Sequence, residues 1–429
     1  IRLAAQVGAG LTGITIVLDE PTIGLHPTDN KRLLSAICSL KNAGNTLIVV
    51  EHDEETLRSA DWIIDLGPGG GRLGGEVVAQ GQVDDIVKNE ASLTGKMLSE
   101  GKGRIIRPKG RARDAKDWLE IRGIDCNNMH GLDLTIPLGA LIAITGVSGS
   151  GKSTLMTQVI APLINAKLMD NDAPTSRAKG VSGAGAIDRL LLVDHSPVGR
   201  TPRSCLATYA GFLADIRDLF AKTPLARARG YGPSRFSFNS EGGRCPACKG
   251  QGFQKVSLGF LPDVYVKCDF CEGRRFEPST LDVKWRGKNI AEVLEMTLEE
   301  ARETFRPIPR LLRPISILCG LGLGYLGLGQ SSPSLSGGEA QRLKLARQLA
   351  AGGRGHVLYL MDEPTTGLHM SDVRLLVSHL HSLVDHGNTV IVIEHNQDLI
   401  HSADWVIELG PGGGRHGGKL IFSGPSPVH

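Results

Sequence analysis

The sequence predicts an α/β fold: a parallel sheet interleaved with helices, built as two tandem modules of which the first is truncated. Three observations carry this. Residues 19–75 align without gaps onto 362–418 at a constant offset of 343, with about 33 identities in 57 positions. That period is too long for a solenoid and marks a duplicated domain. Within each copy, short apolar runs alternate with helical stretches: ITIVLDE (14–20) and VLYLMDE (357–363), helices over about 29–43 and 372–386, then TLIVVEH (46–52) and TVIVIEH (389–395). Buried strands alternating with helices are the pattern of a parallel sheet. Finally, the apolar run LIAITG (141–146) leads straight into a glycine-rich loop.

Composition sets outer limits. The 429 residues carry 48 Lys+Arg against 45 Asp+Glu, a formal charge of +3, with 41% hydrophobic and 22% charged residues. Such a chain has ample material for a core, and disorder throughout is excluded. At about 150 residues per domain, two or three domains are expected. No apolar run reaches the roughly 18 residues of a membrane span, and no signal peptide opens the chain. No membrane partner is expected, and the localisation is cytoplasmic. Glycine is high, 55 of 429, which suggests tight turns or backbone contacts to phosphate. The chain begins at Ile1 inside a helical pattern, so it reads as a piece of a longer protein. The expected divisions are 1–100, the end of the first module; 101–117, a solvated basic linker; 118–194, the P-loop part of the second module; 195–334, an insertion; and 335–429, the rest of the second module.

The loop after the apolar run at 141–146 is Gly146-x4-Gly151-Lys152-Ser153-Thr154, with Gly149 inside it. Strand before and helix after give the P-loop context. Its backbone N–H groups close on phosphate oxygens, Lys152 reaches the terminal phosphates, and the Ser153 hydroxyl binds Mg²⁺. ATP and Mg²⁺ are therefore the expected ligands. A carboxylate at the end of a buried strand can hold Mg²⁺, the role expected of Asp362 and Asp19. The adjacent Glu363 and Glu20 would polarise the attacking water. About 32 residues later each copy ends a strand in His, His395 and His52, placed to contact the γ-phosphate. Leu335-Ser336-Gly337-Gly338-Glu339 opens a helix with capping-box spacing, and its glycines allow close approach to a phosphate. P-loop, LSGGE signature, Asp-Glu pair and switch histidine together resemble the ABC ATPase set.

Cys245-x2-Cys248 and Cys268-x2-Cys271 are separated by 19 residues. That is the spacing of a four-cysteine zinc ribbon, closed to catalysis, in a reducing compartment. The intervening segment reads as a hairpin. Around it lie Arg200, Arg203, Lys222, Arg227, Arg229, Arg235, Arg244, Lys249 and Lys255, interleaved with Tyr231, Phe236, Phe238 and Phe253. Such residues can bind phosphates and stack on or wedge into a distorted duplex.

These motifs, with HSPVGRTPRS (195–204), RFSFNSEGGRCPAC (235–248), FLPDVYVKCDFC (260–271), GLGYLGLGQ (322–330) and DEPTTGLH (362–369), resemble the C-terminal half of the UvrA family, damage-recognition ATPases of bacterial nucleotide excision repair. The zinc ribbon and GPGGG tail separate the chain from transporter-type ABC ATPases. The resemblance implies two ABC modules per polypeptide, a homodimer, binding of damaged double-stranded DNA, and loading of UvrB. It places Arg200 and Arg203 at DNA. His195 stands where the family usually has a glutamine that senses Mg²⁺ and γ-phosphate, and Cys205 where it often has Asn. A first P-loop, a first signature and the UvrB-binding segment are absent from these residues. A UvrA-like paralogue that acts in drug tolerance without UvrB is the alternative.

Overall fold

The computed structural model describes residues 12–22, 25, 27–69, 74–100, 110–169, 177–194, 198, 203–256, 264–351, 355–368 and 370–426. In chain order the strands are β1 (Thr15–Asp19), β2 (Thr46–Val50), β3 (Ile63–Gly67), β4 (Glu76–Gly81), β5 (Trp118–Cys126), β6 (Met129–Pro137), β7 (Leu141–Gly146) and β8 (Gly180–Ser182). They continue as β9 (Arg189–Val193), β10 (Phe253–Val256), β11 (Val264–Lys267), β12 (Val357–Asp362), β13 (Thr389–Ile393), β14 (Trp405–Gly410) and β15 (Lys419–Pro425). Two compact units result: residues 1–194 with 353–429, and residues 195–352.

The first unit is built on a six-stranded sheet of order β15-β14-β7-β13-β12-β9. All its pairings are parallel except β14 with β15. This is the predicted α/β sheet, and the run TVIVI of β13 is buried along its whole length. A strand covered on both faces has no polar alternation, which explains the continuous apolar run. A three-stranded antiparallel sheet, β6-β5-β8, contributes to the same core. Ile121, Leu134, Ile142, Ile144, Leu155, Val159, Leu358 and Ile391 pack there as one cluster. Each such side chain contributes about 1.5–3 kcal/mol through burial.

The duplication extends to register. β1 pairs β2 in parallel with Thr15 opposite Thr46, and β12 pairs β13 with Leu358 opposite Thr389. β3 pairs β4 with Ile63 opposite Gly81, as Val406 lies opposite Gly424, and both pairs carry a bulge one step before the second leucine, Leu66 or Leu409. The copies differ in one respect. In the second, β7 lies between β13 and β14 and joins all strands into one sheet; in the first, the described pairs β1-β2 and β3-β4 stand as separate two-stranded sheets. Accordingly Val17, Ile48, Val50, Ile64 and Leu66 are 47–66% exposed, whereas Leu360, Ile391, Ile393, Ile407 and Leu409 are 0–1% exposed.

The basic stretch before β5 departs from the solvated-linker expectation at its described end. Arg111 is mostly buried. Its Nη1 donates to Asp404 Oδ2 at 3.1 Å and lies 2.9 Å from His381 Nδ1, and its Nη2 pairs with Asp385. The Asp404 side chain is fully buried, and its Oδ2 also accepts from the Leu141 amide at the start of β7. Its counterpart Asp61 is exposed and pairs with Lys41 at 2.9 Å.

The second unit is largely helical. Capping boxes start its helices Ile290–Glu295 and Leu298–Thr304, through Asn289 with Glu292 and Thr297 with Glu300. Its core holds the ring pairs Phe220–Phe236, Phe238–Phe276 and Trp285–Phe305. The LSGGE helix, Gly337–Ala351, belongs to this unit.

Removing Arg111 leaves the buried Asp404 carboxylate without its guanidinium. Arg111→Ala is expected to destabilise the first unit by about 3–5 kcal/mol in chemical denaturation. Arg122→Ala, at an exposed pair, is expected to change stability by less than about 0.5 kcal/mol.

Candidate functional site

The P-loop begins where β7 ends. Helix starts at Lys152 and continues through a π-turn over Leu155–Ile160 into Ala161–Leu168. Lys152 is 7% exposed, and its ammonium donates to Gly146 O at 2.8 Å and Val147 O at 3.0 Å. Burial holds its pKa below the usual lysine value, while Glu363, Asp362 and Asp29 pull it upward. The lysine thus lies in the field of both acidic residues predicted to serve the second site. Ser153 is exposed, Thr154 half-buried, and Thr154 Oγ1 accepts from Asn127 Nδ2 at 3.4 Å. Gly146, Gly149 and Gly151 all have positive φ.

Asp362 ends β12, beside β13, so the Asp-Glu pair and His395 lie at the same end of the sheet as the P-loop. His395 Nε2 is 3.7 Å from Glu363 Oε1, and His52 Nε2 is 3.1 Å from Glu20 Oε1. Both glutamates have left-handed backbone, φ 44° at Glu363 and 42° at Glu20, rare for residues with a Cβ. Asp19 ends β1 at the corresponding place. The two copies therefore reach the same carboxylate–imidazole arrangement independently of whether β7 is present.

In the second unit the predicted capping box is formed. The Glu339 amide donates to Ser336 Oγ at 3.2 Å, and the Ser336 amide donates to Glu339 Oε2 at 2.7 Å. Tyr325 Oη donates to the other Glu339 oxygen at 2.5 Å. Ser336 and Gly337 are exposed and Gly338 is buried.

The four predicted ligand cysteines converge. Their sulfurs lie within 4.8 Å of one another, with Cys245–Cys268 at 3.9 Å and Cys248–Cys271 at 3.6 Å. A zinc ion with Zn–S bonds of about 2.3 Å has sulfur–sulfur edges of about 3.8 Å, so the donor set fits zinc. Each CxxC is followed by two residues of positive φ, Lys249-Gly250 and Glu272-Gly273. Gly250 is obligatory: a Cβ there would lie 1.8 Å from Phe238 O. Burial raises the Cys245 thiol and pushes Cys271 up to about 12. At Cys268 burial also raises the thiol, but the Cys271 and Phe270 amides and the Cys271 and Cys245 side chains bring it below the usual value. Bound zinc supplies the positive charge that lets such buried sulfurs ionise.

No family model matches the chain. It is 55% identical over 424 residues to UvrABC system protein A of Thermus thermophilus, covering 99% of this chain and 44% of that protein. To the Haemophilus influenzae protein of the same name it is 53% identical over 426 residues, covering 99% and 45%. The crystal structure of UvrA2 from Deinococcus radiodurans superposes with a TM-score of 0.91 at 46% identity, covering 99% of this chain and 51% of that one. The chain belongs to the UvrA family. It spans less than half the length of the curated relatives it matches.

Within this UvrA-family chain the residues predicted at DNA fare differently. His195 and Arg200 lie outside the described residues. Arg203 is half-buried and Lys255 is exposed on β10. Arg235 donates from Nε to Thr280 Oγ1 at 2.9 Å and from Nη2 to Glu277 at 2.7 Å and Ser279 at 2.6 Å, and its guanidinium lies over Tyr231. Arg229 and Arg244 pair with Asp282 and Glu241. Arg235 is tied into the unit, Arg229 and Arg244 make surface ion pairs, and Lys222, Arg227, Lys249 and Lys255 are exposed. Phe236 and Phe238 are buried and cannot stack on DNA; Phe253 is 39% exposed. Cys205 is buried, its sulfur 3.1 Å from Thr208 Oγ1.

Sequence reasoning missed the role of the GPGGG tail in this UvrA-family module. Residues 412–418 run along the back of the P-loop. The Gly414 amide donates to Gly149 O at 3.0 Å and the Gly418 amide to Ser150 O at 2.9 Å. Gly418, at φ +76°, would place a Cβ 1.9 Å from Asn128 O. The recurrence of the tail was visible; its partner was not.

A folded sample is expected to hold about one zinc per chain by metal analysis. Cys271→Ser is expected to lose that zinc and raise protease sensitivity around residues 245–276, while the first unit keeps its nucleotide affinity. A folded wild-type sample with no zinc would refute the assignment.

Proposed function

We propose that this chain is the ATP-driven DNA-binding part of a damage-recognition subunit of the UvrABC type. The observation that carries it is the convergence of P-loop, Asp-Glu pair and switch histidine on one sheet end, in a chain at 51–55% identity to the curated UvrA relatives. The whole-protein activity, damaged duplex DNA and UvrB as partners, the homodimer and the cytoplasmic location rest on this reading. Among the described residues no helix is long and apolar enough to cross a membrane.

In this mechanism Mg²⁺–ATP supplies a γ-phosphoryl group whose charge the metal helps to neutralise. Lys152 exchanges its two loop carbonyls for phosphate oxygens. The Ser153 hydroxyl and Asp362 carboxylate would hold the metal ion, and Asp19 would have the same task in the first copy. Glu363 orients the attacking water and His395, beside it, donates toward the terminal phosphate; Glu20 and His52 repeat the pair. The backbone of Gly146, Gly149 and Gly151, with Thr154, lines the phosphate site. Ser336 and Gly337, which are exposed, with Gly338 behind them, face a nucleotide held by a second P-loop, as ABC sites require. Lys255, Arg203 and Arg200 supply DNA phosphate contacts.

The 429-residue chain alone is expected to hydrolyse ATP poorly, because Lys152 needs a signature from another module; a family-like turnover rate would sink this. Lys152→Ala is expected to lower nucleotide-dependent activity by on the order of 10²-fold. Binding to damaged and undamaged duplexes, measured across a salt series with and without UvrB, tests the DNA reading. Damage preference and UvrB loading are expected of the complete protein. Lys255→Ala should weaken both duplexes alike and reduce the salt slope by about 1. Absence of both damage preference and UvrB loading would defeat the proposal.

A further inference from the structure

The residue before each switch histidine is a glutamate whose chemistry the ATPase reading does not use. Glu394 is 2% exposed. Its Oε1 accepts from the Thr365 amide at 2.8 Å, and its Oε2 accepts from the amides of His395 at 2.9 Å and Asn396 at 3.1 Å. One carboxylate therefore binds the turn that follows the Asp-Glu pair to the loop that carries the histidine. The first copy repeats the arrangement. Glu51 Oε1 accepts from the Thr22 amide at 2.8 Å and the Thr22 hydroxyl at 2.5 Å, and Oε2 from the His52 amide at 3.1 Å. Thr22 and Thr365 are equivalent in the duplication, as are Glu51 and Glu394.

The turn needs such a tie. Glu363 and Glu20 have positive φ, a conformation that costs on the order of 1–3 kcal/mol for a residue with a side chain and persists only where its surroundings over-determine it. The Glu363 amide donates to Ile393 O at 2.9 Å, and the Thr366 amide donates back to Glu363 O at 3.1 Å. Thr365 lies between those two bonds, and its amide points at Glu394. Burial raises the Glu394 pKa, against the lowering pull of Thr365, Asn396 and His395 donors. A buried carboxylate is costly unless its oxygens are satisfied, and here three donors from two segments satisfy it.

We propose that Glu394 and Glu51 are positioning residues, each using one carboxylate to hold the strained catalytic glutamate and the switch histidine in mutual register. The inference rests on the ATPase reading for its functional meaning. Glutamine is the discriminating substitution. It keeps the volume, but one of its two polar groups is a donor, so it cannot accept on both sides.

The test compares the wild-type 429-residue chain with Glu394→Gln and Glu51→Gln. Three measurements are made: amide hydrogen exchange, affinity for a fluorescent ATP analogue, and single-turnover ATP hydrolysis. For Glu394→Gln, exchange is expected to rise at residues 363–366 and 395–396 and to stay unchanged over the P-loop helix. Analogue affinity should stay within about twofold. The single-turnover rate should fall by about 10²-fold, the scale of a misplacement of about 1 Å. Glu51→Gln should raise exchange at residues 20–22 and 52, and it carries the test if Glu394→Gln fails to fold. Unchanged exchange at those amides in a folded variant overturns the proposal. So does an affinity that falls as far as the rate, which would mark a general structural role. If the wild-type chain fails to bind the analogue, the ATPase reading is at fault; if it binds but turns over too slowly to measure, as expected without a partner signature, the exchange data alone decide the brace.

Discussion

Strand β7 hydrogen-bonds to β13 on one side and to β14 on the other. This double pairing is the contact on which the nucleotide module depends. It converts two strand pairs into one sheet, buries their apolar faces, and ends where the P-loop begins. The duplication supplies an internal comparison. β1 to β4 repeat the sequence and register of β12 to β15 without such a strand among the described residues, and their side chains at the equivalent positions are half exposed. The hydrophobic effect that stabilises the second module is thus inseparable from the placement of its phosphate loop.

Buried charge is arranged around that sheet by compensation. Asp404 meets Arg111 and the amide that opens β7. Lys152 meets two loop carbonyls. Glu394 meets three amides, two of them on the loop that carries the histidine. Asp404 and Glu394 draw partners from distant segments, and Lys152 from its own loop, so each fixes a spatial relation as well as an energy. The second unit uses the same logic with sulfur. Two similar Cys-x-x-Cys turns bring four buried thiols together as a cluster of their own, too small to hold its shape by packing alone.

Much of the site was legible in the sequence because its chemistry is local. A P-loop, a capping box and a pair of CxxC turns are each defined by residues a few positions apart, so spacing is enough to predict their geometry. The Asp-Glu pairs and histidines were legible for another reason: they recur at a fixed offset on strands whose burial pattern identifies them. Long-range partnerships have the opposite property. Arg235, Phe236 and Phe238 look like a basic aromatic DNA surface, yet Glu277, Ser279 and Thr280 claim the arginine and the core claims the rings. Arg111 looks like one charge in a solvated run, but its partners lie some 270 to 293 positions away. Nothing in local spacing announces them.

By itself the sequence determined which segments are strands, where a P-loop pattern follows a strand, which sulfurs cluster, and that one module occurs twice. Those features follow from periodicity, short-range hydrogen bonding and backbone stereochemistry. Tertiary structure decided which arginines face solvent and that the glycine tail hydrogen-bonds to the P-loop. It also decided that the glutamate beside each histidine accepts hydrogen bonds from the turn after the Asp-Glu pair. These depend on long-range pairing, where a side chain's role is set by which distant backbone donor or acceptor it meets.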